Sequence, residues 1–169
     1  MNAFTTARLR ATPLAPSDLD DLVDLHLDVE ASRFLGGVRT PEKTAAYLDV
    51  NLQHWSDHGF GLWAFRTPDG AFVGRAGLRY TELEGVRELE IAYALARGAW
   101  GQGLASEIAQ ALVGLWMQSS MPSSLVGIVM NGNAASKRVL LKTGFAYERD
   151  AVFHDEAVDV FRQDRGAAA

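Results

Sequence analysis

The sequence predicts a mixed α/β fold built on a largely antiparallel sheet. Apolar segments of strand and helix period alternate in the order strand, two helices, three strands, helix, strand, helix and two final strands. Two of these strands, Leu62 to Arg66 and Ala71 to Arg79, are joined by Thr67-Pro68-Asp69-Gly70, which is typical of a tight hairpin turn. At 169 residues, the chain can fill one core. We therefore expect one domain over residues 1–165 and a frayed tail over residues 166–169.

The chain opens with a strand and two helices. Arg8 to Thr12 is expected to form the strand, and Ser17 to begin the first helix. The second helix has clearer limits, because Thr40 is a favoured N-cap and Pro41 suits the first helical position. We expect this helix to end near Gly59.

The most informative segment is a strand that runs directly into glycines and a helix, EIAYALARGAWGQGLA, Glu90 to Ala105. Gly101 and Gly103 allow positive φ and a close approach of a ligand to the backbone. The first N–H groups of a helix have no intrahelical partner and lie at the positive end of its dipole. We therefore predict that a pyrophosphate binds the amides of Gly103, Leu104, Ala105 and Ser106.

A simple bend between a strand and a helix can have the same glycine pattern, so the assignment of a phosphate site depends on a second segment. NAASKRVLLKTGF, Asn133 to Phe145, follows the apolar strand Leu125 to Met130 and predicts a helix that stops at Gly144. Together, WGQGLASE and N-x-x-S-x-x-V-x-x-K-x-G-F resemble the Gcn5-related N-acetyltransferases (GNAT), specifically the branch of ribosomal-protein N-terminal acetyltransferases. TARLRATPLAPSDLDDL near the start resembles the same branch, so the likeness spans nearly the whole chain.

The resemblance implies a GNAT-like twisted sheet whose two middle strands splay apart, with the pantetheine arm of acetyl-CoA in the gap. Tyr93 to Leu95 would line one side, with Tyr93 and Leu95 as coenzyme contacts, and Val129 to Asn131 the other. Asn133 matches the family position whose amide contacts the pantetheine, although asparagine is also a favoured helix N-cap. The family's phosphate motif falls here on Trp100, Gly101, Gln102, Gly103, Leu104 and Ala105.

Trp100 departs from the usual first residue of that motif, but tryptophan is typical of the suspected branch. Lys137, Arg138 and Lys142 form a basic cluster that suits either the coenzyme 3′-phosphate or a solvated helix face.

Two residues are candidates for catalysis by the same resemblance. Ser136 matches the position from which a hydroxyl approaches the coenzyme sulfur, although serine is also common at a helix start. Glu90 resembles the catalytic glutamate of histone-type relatives and is the candidate base, directly or through a water. Alternatively, Glu88 and Glu90 are only a solvated strand end. Backbone amides near Ala92 and Tyr93 would stabilise the carbonyl oxygen.

Charge and composition exclude several classes of protein. A net charge of −5 and a pI near 5.3 argue against nucleic-acid or membrane binding and favour a cationic partner such as an amine. The absence of cysteine excludes disulfides, thiolate zinc sites and a cysteine nucleophile. No apolar run reaches membrane-spanning length, and we expect a cytoplasmic protein.

The histidines do not predict a metal site. His54 and His58 are four residues apart, as in a metal-binding pair, but HWSDH lacks the glutamate of the zinc-protease motif and lies at a helix end. We expect these two to cap the helix. His26 lies on an apolar stripe and is expected to be a core residue whose ring nitrogens are hydrogen-bonded.

The predicted function is acetyl-CoA-dependent transfer of an acetyl group from the thioester directly to a primary amine. The acceptor, either a protein N-terminus or a small molecule, stays open, as does the choice between a monomer and a homodimer. Two alternatives also stay open: an acyl-CoA sensor without turnover, and a protein-interaction module with a vestigial coenzyme site. No metal is expected.

Overall fold

The computed structural model describes residues 2–166. The strands are β1 (Phe4–Thr5), β2 (Arg10–Pro13), β3 (Leu62–Arg66), β4 (Phe72–Leu83), β5 (Val86–Leu95), β6 (Ser124–Met130), β7 (Ala146–Phe153) and β8 (Glu156–Asp164). The helices are α1 (Leu19–Leu27), α2 (Val29–Ser32), α3 (Pro41–His58), α4 (Leu104–Met117) and α5 (Ala134–Lys142). Of the predicted frayed tail, Gly166 is exposed in a turn, and residues 167–169 lie outside the described residues.

The eight strands form one sheet in the order β1-β2-β3-β4-β5-β6-β8-β7. The pairing is mostly antiparallel, and β5 and β6 are parallel, with Glu90 opposite Val126. In contrast, β6 pairs with β8 in antiparallel register along its whole length, from Ser124 to Met130. The predicted fold class, a mixed α/β fold with a largely antiparallel sheet and flanking helices, is confirmed.

The chain divides into two compact units, which we describe separately. The first contains the described residues up to Gly77 together with Tyr93–Leu104. The second contains Leu78–Ala92 and the described residues from Ala105 onward.

The core of the first unit is rich in aromatic residues. The fully buried Trp63 of β3 has its ring centroid 4.9 Å from that of Trp55 on α3 and 5.4 Å from that of Phe4. Both contacts are edge-on, which is a favoured geometry for aromatic pairs. The predicted hairpin between β3 and β4 is present, because Thr67 N donates to Ala71 O across its turn at 2.9 Å.

The limits of α3 agree with the sequence signals. The Thr40 hydroxyl accepts from Lys43 N at 3.2 Å, Pro41 is the first helical residue, and Gly59 ends the helix with φ 69°. The start of α1 differs from the prediction, since Ser17 lies in a 3-10 turn, Pro16–Asp18, and the α-helix begins at Leu19.

The second unit packs its helices on a β core. Leu83, Val126, Ala151, Val158 and Val160 form one buried cluster. On α4, Ile108, Leu112 and Trp116 lie three or four residues apart and are fully buried, while Leu115 is only half-buried. On α5, Leu140 is buried against Gly127 of β6, where a Cβ would lie 2.5 Å from Leu140 Cδ1. Gly127 therefore makes room for α5.

The segment before β5 is more regular than the sequence indicated. The predicted strand that ends at Arg79 continues to Leu83 as part of β4, and Glu84 and Gly85 form a two-residue turn before β5 begins at Val86. Glu84 and Gly85 both have positive φ, 50° and 80°, as in the turns that match the twist of a two-residue hairpin. The Glu84 carboxylate accepts from Val152 N at 3.0 Å, which helps to hold this backbone.

Candidate active site

The predicted phosphate-binding segment connects the end of β5 to α4. Gly101 and Gly103 both have positive φ, 71° and 75°. The backbone from Trp100 to Gly103 is exposed, and α4 begins at Leu104. The N–H groups of the first turn of α4 have no intrahelical acceptor and lie at the positive end of the helix dipole. The segment thus has the local geometry of an anion-binding turn.

The space above both glycines is open. A Cβ at Gly101 would meet no heavy atom of the described chain within 4 Å. A Cβ at Gly103 would meet only Arg8 Nη2, at 3.7 Å. Because the positive φ already favours glycine and residues 2–166 leave most of this space open, a ligand oxygen has room to approach the backbone here.

Three side-chain hydrogen bonds hold this segment in place. Trp100 Nε1 donates to Leu95 O at 2.9 Å, and Gln102 Nε2 donates to Gly98 O at 2.8 Å. Arg8 Nη1 donates to Gln102 O at 2.8 Å. The indole N–H of Trp100 and one of the two amide N–H groups of Gln102 therefore bind backbone of their own unit.

Sequence reasoning missed Arg8. Its guanidinium lies beside the glycines although 94 residues separate it from Gln102, so no local pattern connects the two. The exposed Arg8 adds a positive charge next to the predicted phosphate position.

In the second unit, Asn133 caps α5. Its Oδ1 accepts from Ser136 N at 3.1 Å, and α5 begins at Ala134. The alternative role foreseen for Asn133, a helix N-cap, is thus present, and it leaves the amide NH₂ as the group for a coenzyme contact. Ser136 is half-buried in the first turn of α5, where its hydroxyl is close to the helix N-terminus.

The basic cluster on α5 divides into two kinds of residue. The Lys137 ammonium forms an ion pair with Asp159 of β8, whose carboxylate is largely buried. Arg138 and Lys142 are exposed. Lys137 therefore fastens α5 to β8, and only the other two match the predicted solvated helix face.

The candidate base, Glu90, is buried and ion-paired. Its side chain is 6% exposed, and Oε2 lies 3.0 Å from Arg79 Nε. The interpretation of Glu90 as a solvated strand end is wrong, because β5 is covered at this position. Glu88 is also ion-paired rather than free in solvent, since both of its oxygens accept from Arg162, at 2.7 and 3.2 Å.

Sequence reasoning also missed Arg79. A signal was present, because Glu84-Gly85 as a two-residue turn brings Arg79 of β4 beside Glu90 of β5. Glutamate is uncommon with positive φ, so the pair Glu-Gly did not stand out as a hairpin turn.

The predicted site residues are distributed over both units. Tyr93, Leu95, Trp100, Gly101, Gln102, Gly103 and Leu104 belong to the first. Glu90, Ala105, Ser106, Asn133 and Ser136 belong to the second, in which Asn133 and Ser136 are brought together. Among residues 2–166, no group of three or more His, Cys, Asp or Glu side chains is placed to hold a metal ion.

The histidine predictions have different outcomes. His54 Nδ1 lies 2.9 Å from Phe60 O, beyond the end of α3, in agreement with a role in closing that helix. His26 is fully buried and binds Thr44 through Nδ1 at 2.9 Å, but its Nε2 has no partner in the described chain. The expectation that His26 is a buried residue with both ring nitrogens hydrogen-bonded is therefore right for Nδ1 and, within residues 2–166, wrong for Nε2.

A comparison with protein families decides the classification. The model of the acetyltransferase (GNAT) domain matches residues 8–146, which include the glycine turn and the Asn133 segment. The chain belongs to the GNAT acetyltransferases. The GNAT match also includes Arg8, Arg79 and Glu90.

Individual relatives agree with the GNAT assignment. The uncharacterized protein YkkB of Bacillus subtilis (strain 168) is 29% identical over 154 residues, which are 88% of this chain and 90% of YkkB. An acetyltransferase from Agrobacterium tumefaciens str. C58 has a similar structure, with a TM-score of 0.86, 25% identity, and coverage of 98% of this chain and 95% of that one.

The solved structures similar to this GNAT domain also include the predicted branch. RimL, a ribosomal-protein alpha-N-acetyltransferase solved in complex with coenzyme A, superposes with a TM-score of 0.78 at 18% identity. The superposition covers 99% of this chain and 100% of RimL. The fold of this GNAT domain is thus that of the ribosomal-protein branch. None of the helices described for residues 2–166 combines the length and apolar character that a membrane crossing needs.

Proposed function

We propose that this protein transfers an acetyl group from acetyl-CoA directly to a primary amine. The observation that carries the proposal is the glycine turn before α4, in which Gly101 and Gly103 have positive φ and open space above them. Membership of the GNAT family and the coenzyme A bound to the similar structure of RimL support the choice of ligand.

The coenzyme contacts are proposed from the family motif and from the local geometry. The amides of Gly103, Leu104, Ala105 and Ser106 would bind the pyrophosphate at the start of α4. Trp100, Gly101 and Gln102 shape this turn, and the exposed guanidinium of Arg8 supplies a nearby positive charge. The pantetheine contacts are proposed as Tyr93, Leu95, Asn133 and Ser136.

The reaction needs one base and one group that assists the leaving thiolate. Glu90, or a water that it holds, would take the proton of the ammonium, so that the amine nitrogen attacks the thioester carbon. The C–N bond forms and the C–S bond breaks. The second proton of the attacking nitrogen passes to the departing sulfur through the Ser136 hydroxyl, which gives its own proton to the sulfur and takes one from the nitrogen. Backbone amides at the end of β5 would stabilise the carbonyl oxygen as charge develops.

The arrangement at Glu90 supports its role as the base. Arg79 binds Oε2 and fixes the orientation of the carboxylate, and burial keeps it from bulk water. A buried ion pair of this kind can also be purely structural, and the kinetics of a Glu90 variant distinguish the two roles.

The acceptor is proposed as a primary amine, in a protein N-terminus or in a small molecule. The compartment is proposed as cytoplasmic, in line with the absence of cysteine. Incubation with acetyl-CoA and a panel of peptides, polyamines and amino acids, followed by mass spectrometry, tests the proposal. We expect an acetylated amine that depends on the protein. Tight binding of acetyl-CoA without any product would favour a sensor, and no binding would favour a module with a vestigial site.

A further inference from the structure

Arg8 reaches from the turn between β1 and β2 to the glycine turn before α4. Its Nη1 donates to Gln102 O at 2.8 Å, and its Nη2 lies 3.7 Å from the position that a Cβ would take on Gly103. Within residues 2–166, and apart from the chain neighbours of Gly103, no other heavy atom lies within 4 Å of that position. Arg8 is therefore the side chain that borders the open space above Gly103.

The turn that carries Arg8 is held by local contacts. Thr6 N donates to Leu9 O at 2.9 Å, and Leu9 N donates to the Thr6 hydroxyl at 3.1 Å. The next side chain, Leu9, is buried, and β1 and β2 pair on the two sides of the turn. The exposed side chain of Arg8 thus extends from a fixed backbone to the glycine turn, and both belong to the first unit.

The guanidinium of Arg8 can hold the glycine turn and a phosphate group at the same time. An arginine side chain is always charged and has five N–H donors in one plane. The bond to Gln102 O uses one hydrogen of Nη1. A shift of under about 1 Å would bring Nη2 within hydrogen-bond distance of an oxygen above Gly103, and an exposed side chain can make such a shift.

The position of Nη2 favours the pyrophosphate over the 3′-phosphate as its partner. The amides proposed to bind the pyrophosphate begin at Gly103, and Nη2 borders the space above this residue. Backbone amides supply partial charges only, whereas a guanidinium supplies a full charge and binds phosphate through stronger, charge-assisted hydrogen bonds. In a chain of net charge −5, such a local positive charge favours a ligand that carries several negative charges.

We propose that Arg8 binds the pyrophosphate of the coenzyme directly, and that through this contact the protein selects acetyl-CoA over phosphate-free thioesters of the pantetheine arm. The proposal rests on the proposed coenzyme site. It adds to that site a residue from outside the glycine motif, and it assigns to this residue the selection of the thioester.

Arg8→Met tests the contact, because it removes the guanidinium and keeps an unbranched side chain at this exposed position. The matched control is Arg10→Met, which removes the same charge from an exposed position on β2, two residues further along the same hairpin. Since both variants change the net charge equally, a difference between them reports a contact. Arg8→Lys is a second test variant, which keeps the charge but lacks the planar fork.

The first experiment measures the affinity for three thioesters without turnover. Acetyl-CoA has all the phosphates, acetyl-dephospho-CoA lacks the 3′-phosphate, and S-acetylpantetheine has none. Calorimetry gives the first two affinities, and NMR titration of the protein gives the third. We expect Arg8→Met to weaken binding of the two coenzymes equally, by at least about tenfold, and to leave S-acetylpantetheine unchanged. Arg8→Lys should lose less, and Arg10→Met should bind all three as the wild type does.

Two patterns of affinity would overturn the proposal. Unchanged affinities in Arg8→Met, or an equal loss for all three thioesters, would show that Arg8 does not contact a phosphate. A loss confined to acetyl-CoA would place Arg8 at the 3′-phosphate and overturn the assignment to the pyrophosphate.

The second experiment separates a phosphate contact from a role in holding the turn, because Arg8→Met also removes the bond to Gln102 O. Salt screens an exposed ion contact but not the geometry of a turn. Between about 0.05 and 0.5 M NaCl, acetyl-CoA affinity should fall in the wild type and in Arg10→Met, and clearly less in Arg8→Met. An equal salt dependence in Arg8→Met and the wild type would assign Arg8 to the turn alone and overturn the contact.

The inference and the acetyl transfer fail in different ways. Binding of acetyl-CoA that depends on Arg8, without acetylation of any amine, would support the contact and contradict the acetyl transfer. Full turnover in Arg8→Met with an unchanged KM for acetyl-CoA would leave the acetyl transfer standing and overturn the inference.

Discussion

Arg79 Nε lies 3.0 Å from Glu90 Oε2, in an ion pair whose carboxylate is 6% exposed. The pair joins neighbouring strands, β4 and β5, close to the two-residue turn Glu84-Gly85. Breaking such a pair leaves an uncompensated charge in a poorly solvated position. Arg79 therefore fixes the orientation of the Glu90 carboxylate. The control for a substitution of Glu90 must be a substitution of a second ion-paired glutamate.

Glu90→Gln tests the base, because glutamine keeps the size of the side chain but cannot accept the proton. We expect kcat to fall roughly a hundredfold, with acetyl-CoA affinity near that of the wild type. Glu88→Gln is the matched control, since Glu88 on the same strand pairs with Arg162 at 2.7 Å. It should keep kcat. A wild-type kcat in Glu90→Gln would show that the base is elsewhere.

Gly103→Val tests the phosphate-binding turn. A branched side chain would occupy the open space at this glycine and should weaken acetyl-CoA binding at least tenfold, which is about 1.4 kcal/mol. The control, Gly59→Val at the end of α3, introduces the same residue at a similar φ, 69° against 75°, and also into open space. Calorimetry on both variants separates ligand contact from backbone strain. The same affinity in both would contradict the phosphate position.

Ser136→Ala tests the group proposed to assist the leaving thiolate. If the hydroxyl acts as charge reaches the sulfur, kcat should fall roughly tenfold while the KM for acetyl-CoA changes little. The backbone N–H of Ser136 still donates to Asn133 Oδ1 in this variant, so α5 keeps its cap. A raised KM at constant kcat would instead assign Ser136 to binding of the ground state.

The pH dependence of stability tests the environment of His26. Burial, Arg75 and Arg39 lower its pKa from 6.5 to about 3, so between these values the unfolded chain binds a proton that the folded chain excludes. The free energy of unfolding should therefore fall as the pH falls through this range. The contribution of His26 is at most about 1.4 kcal/mol per pH unit.

Denaturant unfolding above and below the ordinary histidine pKa measures this slope. His26→Gln should reduce it, because a glutamine side chain does not take up a proton in this pH range. An unchanged slope in His26→Gln would mean that the imidazole is not held neutral.

Features that depend on neighbouring residues could be predicted from the sequence. Thr40, Pro41 and Gly59 set the limits of α3 through local capping and positive φ, and all three act as predicted. The same holds for the turn at Gly101 and Gly103, where the need for positive φ is local.

Features that depend on tertiary pairing could not be predicted. The burial of Glu90 depends on how β5 is covered, and its contact with Arg79 required the hairpin at Glu84, a residue that seldom has positive φ. His26, Tyr47 and Arg75 come from three separate elements, and the contacts of the Tyr47 ring with the other two exist only once those elements pack.

The most direct measurement of the central claim is the release of free thiol from acetyl-CoA with and without amine acceptors. We predict little release without an acceptor and a saturable, protein-dependent release with at least one primary amine, matched by an equal amount of acetylated amine. Glu90→Gln should lose this release while it still binds acetyl-CoA. Binding of acetyl-CoA with no amine-dependent release across peptides, polyamines and amino acids would contradict the account.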